Sequence, residues 1–315
     1  MGKILKCALS IGFVLTFLFE SKGQQYPVFT QYYFNEMVIN PAYVGSQVQL
    51  SMTAMYRNQW VNFPGAPKTF SFSAHTSLIK GKIGTGFLVN HDEIGSYSND
   101  HIYAYYSYMI RFPQSTLSMG IQGGGNVLGV DFSQLDLQDP TDIPLQSVFN
   151  SFKPNFGVGL YYRKKNFFAG VSIPFLLNNS VALTVENILS EIKEARYYFL
   201  RAGFIHPLDR MEKVKINPSF LVRGQEGQPL SVDVNVGFVF YDVLNIGVSY
   251  RNIDAFMTFI DLKLSERMHF GYSYDWTQSE LNRFSNGTHE FMLNYRMPVR
   301  KLHGNIECPS YYHYR

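Results

Sequence analysis

The sequence predicts an all-β chain: an antiparallel transmembrane β-barrel of about 14 strands, with an N-terminal non-strand segment at its mouth or in its lumen. Three observations predict it. Side chains alternate in polarity with a period of two along most of the chain, the signature of strands with two unlike faces. The alternating segments run to roughly ten residues, the length that crosses a bilayer at a ~45° tilt, whereas soluble strands cluster near five or six. Composition agrees: 22 Tyr and 27 Phe supply residues that fit a pleated surface, and only 16% of residues are charged against a usual share near ~25%. A mean hydropathy of -0.10 excludes a helical membrane bundle but suits a barrel, whose apolar and polar faces average out.

The first element is an address. In "MGKILKCALSIGFVLTFLFESKGQ", Lys3 and Lys6 precede an apolar run from Ala8 to Phe19, and Ser21 and Gly23 follow at small-x-small spacing. Residues 1–23 read as a secretory signal peptide, cut before Gln24. The apolar run is far short of the ~20 residues of a membrane-spanning helix, and Cys7 lies too early in it for a lipoprotein signal. Cys308 is then the lone mature cysteine, which permits no intrachain disulfide and no cysteine metal cage. Residues 24–46 form a Pro/Gly-aromatic segment containing "YYFNEMVINPAYVGS". The barrel occupies 47–298, and 299–315 form a short tail.

Strands are expected near 47–57, 67–78, 82–92, 100–111, 115–127, 154–162, 166–173, 196–206, 213–223, 230–240, 243–251, 254–264, 266–276 and 287–297. In "TFSFSAHTSL", Phe70, Phe72, Ala74 and Leu78 oppose Thr69, Ser71, Ser73, His75 and Ser77. In "LSVDVNVGFVF", Val232, Val234, Val236, Phe238 and Phe240 oppose Ser231, Asp233, Asn235 and Gly237. A soluble sandwich would point the apolar face inward, and a membrane barrel points it at lipid. Tyr56, Trp60, Tyr250, Tyr274, Trp276 and Tyr295 sit at segment ends as aromatic girdles do, which favours the membrane. Short joints such as "YDV" and "RKKN" read as hairpin turns. Longer insertions fall at 128–153, 177–195 and 277–286, and helical spacing in Ala182–Tyr198 predicts one short helix.

The search for chemistry yields little. "HDE" at His91–Glu93 places an imidazole between carboxylates, yet no serine or paired acid stands at a telling spacing, so a strand end at a polar rim is the better reading. "GIQGGGNVLG" lacks the Lys-Ser/Thr of a phosphate loop; its glycines suit a bent strand or the approach of another backbone. The eight His form no ligand pair at i, i+4 spacing, so no metal and no cofactor is expected, and no enzymatic activity. A net charge of +3 without a basic run argues against nucleic acid. Asn286-Gly-Thr matches a glycosylation pattern by letters only and reads as a turn. The remaining polar signal is a set of lumen-side charges: Arg57, Arg201, Lys215, Arg223, Asp233, Arg251, Asp261, Arg267, Asp275, Glu290 and Arg296. Both signs are interspersed, which favours bracing of the lumen over a single-sign conduit.

"FTQYYFNEMVINPAYVGS" followed by "LSMTAMYRNQWVNFPGAPKTFSFSAHTSL" resembles the start of the PorP/SprF family of Bacteroidetes outer-membrane proteins. Gln31, Tyr33, Phe34 and Asn35 match its opening, and Asn40, Pro41, Ala42, Tyr43, Gly45 and Ser46 its second element. Tyr56, Arg57, Gln59, Trp60, Phe63, Gly65, Ala66 and Pro67 match the third, with Ser73 and His75 after it. "NGTHEFMLNYRM" and "IECPSYY" are similar to the family's last strand and tail. The departures are Glu36-Met37 and a tail that continues to Arg315. The resemblance implies an outer-membrane barrel of the type IX secretion system that supports export or surface attachment of large secreted proteins with C-terminal sorting domains, gliding adhesins among them. It implies as partners that secreted substrate, other type IX secretion or gliding components, and outer-membrane lipid. Asn35, Asn40, Pro41, Tyr43, Gly45, Arg57, Trp60, Gly65, Pro67 and His75 are the motif residues expected to act in structure or docking. Two alternatives stay open: a general diffusion porin for small solutes, and a barrel hydrolase depending on His75, His91 or His101.

Overall fold

The computed structural model describes residues 29–79, 81–131, 148–185, 188–193, 195–252, 255–278 and 283–298. The expected signal peptide with its cleavage site, and the tail 299–315 with Cys308, lie outside these residues. Fourteen long strands close into one antiparallel ring. They are β1 (Leu50–Asn58), β2 (Lys68–Leu78), β3 (Ile83–Ile94), β4 (Tyr97–Arg111), β5 (Ser115–Asp131), β6 (Val148–Lys164), β7 (Phe167–Ile173), β10 (Tyr197–Phe204), β12 (Val214–Gln225), β13 (Ser231–Phe240), β14 (Leu244–Arg251), β15 (Ala255–Lys263), β16 (Met268–Thr277) and β17 (Thr288–Met297). The two-residue strand β11 (His206–Pro207) adds to β12 alone. The first and last strands close the ring with Leu50 opposite Met297 and Arg57 opposite Glu290. Closure leaves no sheet edge needing a partner in lipid, which is what the bilayer demands of a strand-built span.

All fourteen expected segments become barrel strands. Ala182–Tyr198 does not become a helix. A separate hairpin, β8 (Ser180–Val185) and β9 (Ile188–Lys193), stands there, and Tyr197 opens β10. The run fits both periods, and its Val, Ile and Thr residues favour the extended form. The insertion expected at 128–153 shrinks to 132–147, because β5 and β6 pair on to Asp131 and Val148.

The faces fall as a membrane barrel requires. Along β13, Asp233 and Asn235 are buried while Val234 is 51% exposed and Phe238 is exposed. Phe156, Ile121, Phe270 and Val248 likewise point outward, and Ser51, Thr53, Ser73, Asn155, Asp275 and Glu290 inward. Tyr56, Tyr250 and Trp276 form part of one outward girdle, and Tyr106, Tyr108 and Tyr295 part of the other. Trp276 packs on Phe256 with ring centroids 5.8 Å apart.

The two ends of the barrel differ. Where β1 begins and β17 finishes, the joints are 79–82, 112–114, 165–166, 241–243 and 264–267, with 205–213 longer. At the opposite end they are 59–67, 95–96, 132–147, the hairpin-bearing 174–196, 226–230, 252–254 and 278–287. Outer-membrane barrels keep short turns in the periplasm and longer loops outside, which assigns the first end as inner and the second as outer.

Candidate functional site: a threaded lumen and its outer rim

Residues 29–46 cannot extend as a strand: Asn40-Pro41 removes a donor, and Gly45 adopts φ +76°. The segment folds instead into three short 3-10 turns, Gln31–Tyr33, Glu36–Val38 and Pro41–Tyr43. Asn40 caps the third, its Oδ1 accepting from the Ala42 amide at 2.9 Å, with Pro41 at the first turn position. This segment lies in the lumen and carries the hydrophobic core of the protein. Phe29, Tyr32, Tyr33, Phe34, Met37 and Val44 pack on wall residues Met55, Leu88, Tyr103, Tyr161, Phe259 and Met292. The expectation of a mouth-or-lumen segment resolves to the lumen.

The wall holds the segment from both ends. At the outer end Thr30 sits among the last residues of β1 and β16 and the first of β17. Its amide donates to Glu290 Oε2 at 2.9 Å and its hydroxyl to Asp275 Oδ2 at 2.8 Å. Arg57 bridges both acids, at 2.9 Å to Asp275 and 2.8 Å to Glu290, and donates to Thr30 Oγ1 at 3.2 Å. Halfway down, Arg201 donates to the Tyr32 carbonyl at 2.9 Å and pairs with Glu36 Oε1 at 3.2 Å. Tyr161 donates to the same carboxylate oxygen at 3.1 Å. Asn35 donates to Ser73 Oγ at 2.9 Å, and Asn40 to the Leu160 carbonyl at 3.1 Å. At the inner end the Gly45 amide donates to His75 Nδ1 at 3.3 Å, Ser107 donates to the Val44 carbonyl at 2.5 Å, and Arg163 to the Ser46 carbonyl at 3.1 Å. Tyr43 meets the rings of His75 and Tyr161 edge-on, each 5.7 Å away.

Glycines make room for this. A Cβ on Gly84 would strike the Val44 carbonyl, and one on Gly120 the backbone of Pro41 and Ala42. Part of the glycine run therefore serves the approach of a second backbone, one of the two roles expected of it.

The motif residues divide between two places. Asn35, Asn40, Pro41, Tyr43, Gly45, Arg57 and His75 all seat the threaded segment. Trp60, Gly65 and Pro67 belong to the outer loop 59–67. That loop is tied on both sides: Val61 and the 286–287 turn exchange backbone bonds of 2.9 and 2.8 Å, and the Gly95 amide donates to the Gly65 carbonyl at 3.1 Å. Gln59 and Pro67 close its base at 2.9 Å. Trp60 and Asn62 hold left-handed φ values of 46° and 72°, costly for residues with a side chain. Phe63 and Pro64 are exposed at the tip.

Among the expected lumen charges, Asp233 takes Arg251 in two bonds of 2.8 Å, and Lys215 reaches Asp242 at 2.7 Å. Pairing of this kind is bracing. Arg267 does not belong to the set: it is exposed in the inner turn before β16, because the strand begins two residues later than expected. Arg223 is only half-buried near the outer end, where it donates to Ser231 at 3.1 Å. Neither Thr30 nor Arg163 stands out in the sequence. Glu36 was visible only as a departure from the family's opening, and the partners that explain it lie more than a hundred residues away.

The "HDE" residues form an outer-rim network. His91 Nδ1 lies 2.6 Å from Asp100, its Nε2 lies 3.0 Å from Glu93, and Asp92 turns inward to Thr69. His101 Nδ1 meets Asn126 at 2.6 Å beside Phe175. The three histidines of the hydrolase alternative thus stand in three separate environments. Among the described residues no group of His, Cys, Asp and Glu is placed to hold a metal.

A family model described as the type IX secretion system membrane protein PorP/SprF matches residues 21–295. No curated protein matches the sequence. Of solved structures, the CymD monoaromatic hydrocarbon channel superposes with a TM-score of 0.50 at 11% identity, over 90% of this chain and 96% of that one. The outer membrane protein Omp33 of Acinetobacter baumannii gives 0.46 at 8% identity, over 79% and 99%. At such identities the likeness is one of fold alone.

Proposed function

The chain belongs to the PorP/SprF family of type IX secretion system membrane proteins, and from that premise we propose that it is a non-catalytic docking barrel. Family and barrel fold together place it in the outer membrane. In this proposal it supports export or surface attachment of one large secreted protein with a C-terminal sorting domain, of the gliding-adhesin kind, beside other components of the secretion machinery. The observation that carries the reading is the occupied lumen. Residues 29–46 fill it with an apolar core and are clamped at both ends, so the motif's polar groups serve to hold a segment in place. That leaves the tied outer loop around Trp60 and Gly65 as the preorganised surface a partner meets, and a loop held by neighbours on both sides loses little freedom on binding.

The test is affinity purification from detergent-solubilised membranes of cells with and without the gene. The barrel should recover one secreted partner through its sorting domain. Loss of the gene should remove that protein from the cell surface while other cargo is still exported. Recovery of no partner, together with solute-permeable channels in planar bilayers, would make the diffusion porin the better description.

A further inference from the structure

The threaded segment has a direction. Thr30 is bonded at the level of Arg57, Met257, Asp275 and Glu290, each within a few residues of the outer end of its strand. Ser46 is bonded to Arg163, and Gly45 to His75, near the inner ends of theirs. Between them Arg201, halfway along β10, takes the Tyr32 carbonyl, and Ser107, four residues from the inner end of β4, takes that of Val44. The chain therefore runs down the lumen from the outer mouth and turns into β1 at the inner end. A segment entering from the periplasm would pass His75 first and Arg57 last.

We propose that the mature amino terminus is delivered through the lumen of its own barrel to the outer mouth, so that the terminal α-amine faces the cell surface while β17 ends on the periplasmic side. The surface presented outside then includes the point where the segment enters at Thr30, beside the rim loop 59–67. The clamp that keeps it there is the pair of acids shared by Thr30 and Arg57. A charged pair of hydrogen-bonded acids at the exit fixes the height of the segment, because sliding it by one residue would leave Asp275 and Glu290 without the Thr30 donors. The assignment is independent of what the barrel docks.

Single cysteines in a Cys308→Ser background test it on intact cells with a membrane-impermeant maleimide. Tyr26→Cys reports the terminus, Gln278→Cys the outer end and Arg210→Cys the inner joint. Tyr26→Cys should label together with Gln278→Cys, and Arg210→Cys only after the outer membrane is opened. Labelling of Tyr26→Cys only after opening, or in neither condition, would overturn the proposal. A swap of the two controls would instead overturn the orientation of the barrel, and the surface assignment with it. An epitope inserted between Gln24 and Gln25, probed by antibody on intact cells, gives a second readout that leaves every described residue unchanged.

Discussion

Replacing Arg57 by Ala removes a cation that Asp275 and Glu290 share. The guanidinium makes contacts of 2.9 and 2.8 Å to them, and the side chains involved are 4%, 3% and 0% exposed. Breaking a buried pair typically costs ~3–5 kcal/mol, because an uncompensated charge is left behind. Here two acids are stranded, but the amide and hydroxyl of Thr30 still donate to them, so about 3 kcal/mol is expected. With a urea slope of roughly 1–3 kcal/mol per molar, the unfolding midpoint should fall by about 1–3 M. Heat-modified gel mobility and tryptophan fluorescence in lipid vesicles would both follow it. Adding Asp275→Asn and Glu290→Gln to Arg57→Ala should recover more than half the loss, since neutral amides are far cheaper to leave in the lumen. A shift within about 0.5 kcal/mol of the parent, or a triple variant no better than the single one, would refute the clamp.

Val248→Arg puts a cation on the lipid face and should cost ~2–4 kcal/mol near mid-bilayer, while Ser249→Ala, its inward neighbour, should leave the urea midpoint unchanged. Gly120→Val drives a side chain into the backbone of Pro41–Ala42; overpacking of ~1–3 kcal/mol should loosen the segment, read as raised single-channel conductance over the parent. Tyr43→Ala opens a hole beside His75 and Tyr161 and should cost ~3–5 kcal/mol in the same urea assay. At the inner joint, amides led by Val214, then Met211, hold the Asp209 carboxyl below its usual 3.8. Its contribution to that turn is present above this value and fades as pH falls through the depressed one, so hydrogen exchange at Val214 should quicken only in acid.

The period-two pattern by itself determined that this chain closes as a barrel, which strands build it, and which face meets lipid. A strand pattern is local, so "LSVDVNVGFVF" carries the facing of Val234 and Asp233 whatever lies beside it. The motif residues were also legible as a group, but not their division. Nothing in Arg57-x-x-Trp60 says that the first clamps Thr30 inside while the second caps the rim, because that depends on where β1 ends. Ala182–Tyr198 misled for a related reason: its apolar residues satisfy two periods, and the hairpin partner decides between them. Only the tertiary structure decided that Glu36 meets Arg201 and Tyr161, that Gly84 and Gly120 yield space to Val44 and Ala42, and that the segment descends from the outer mouth. Each of those joins positions tens to hundreds of residues apart, brought within reach when the ring closes around residues 29–46.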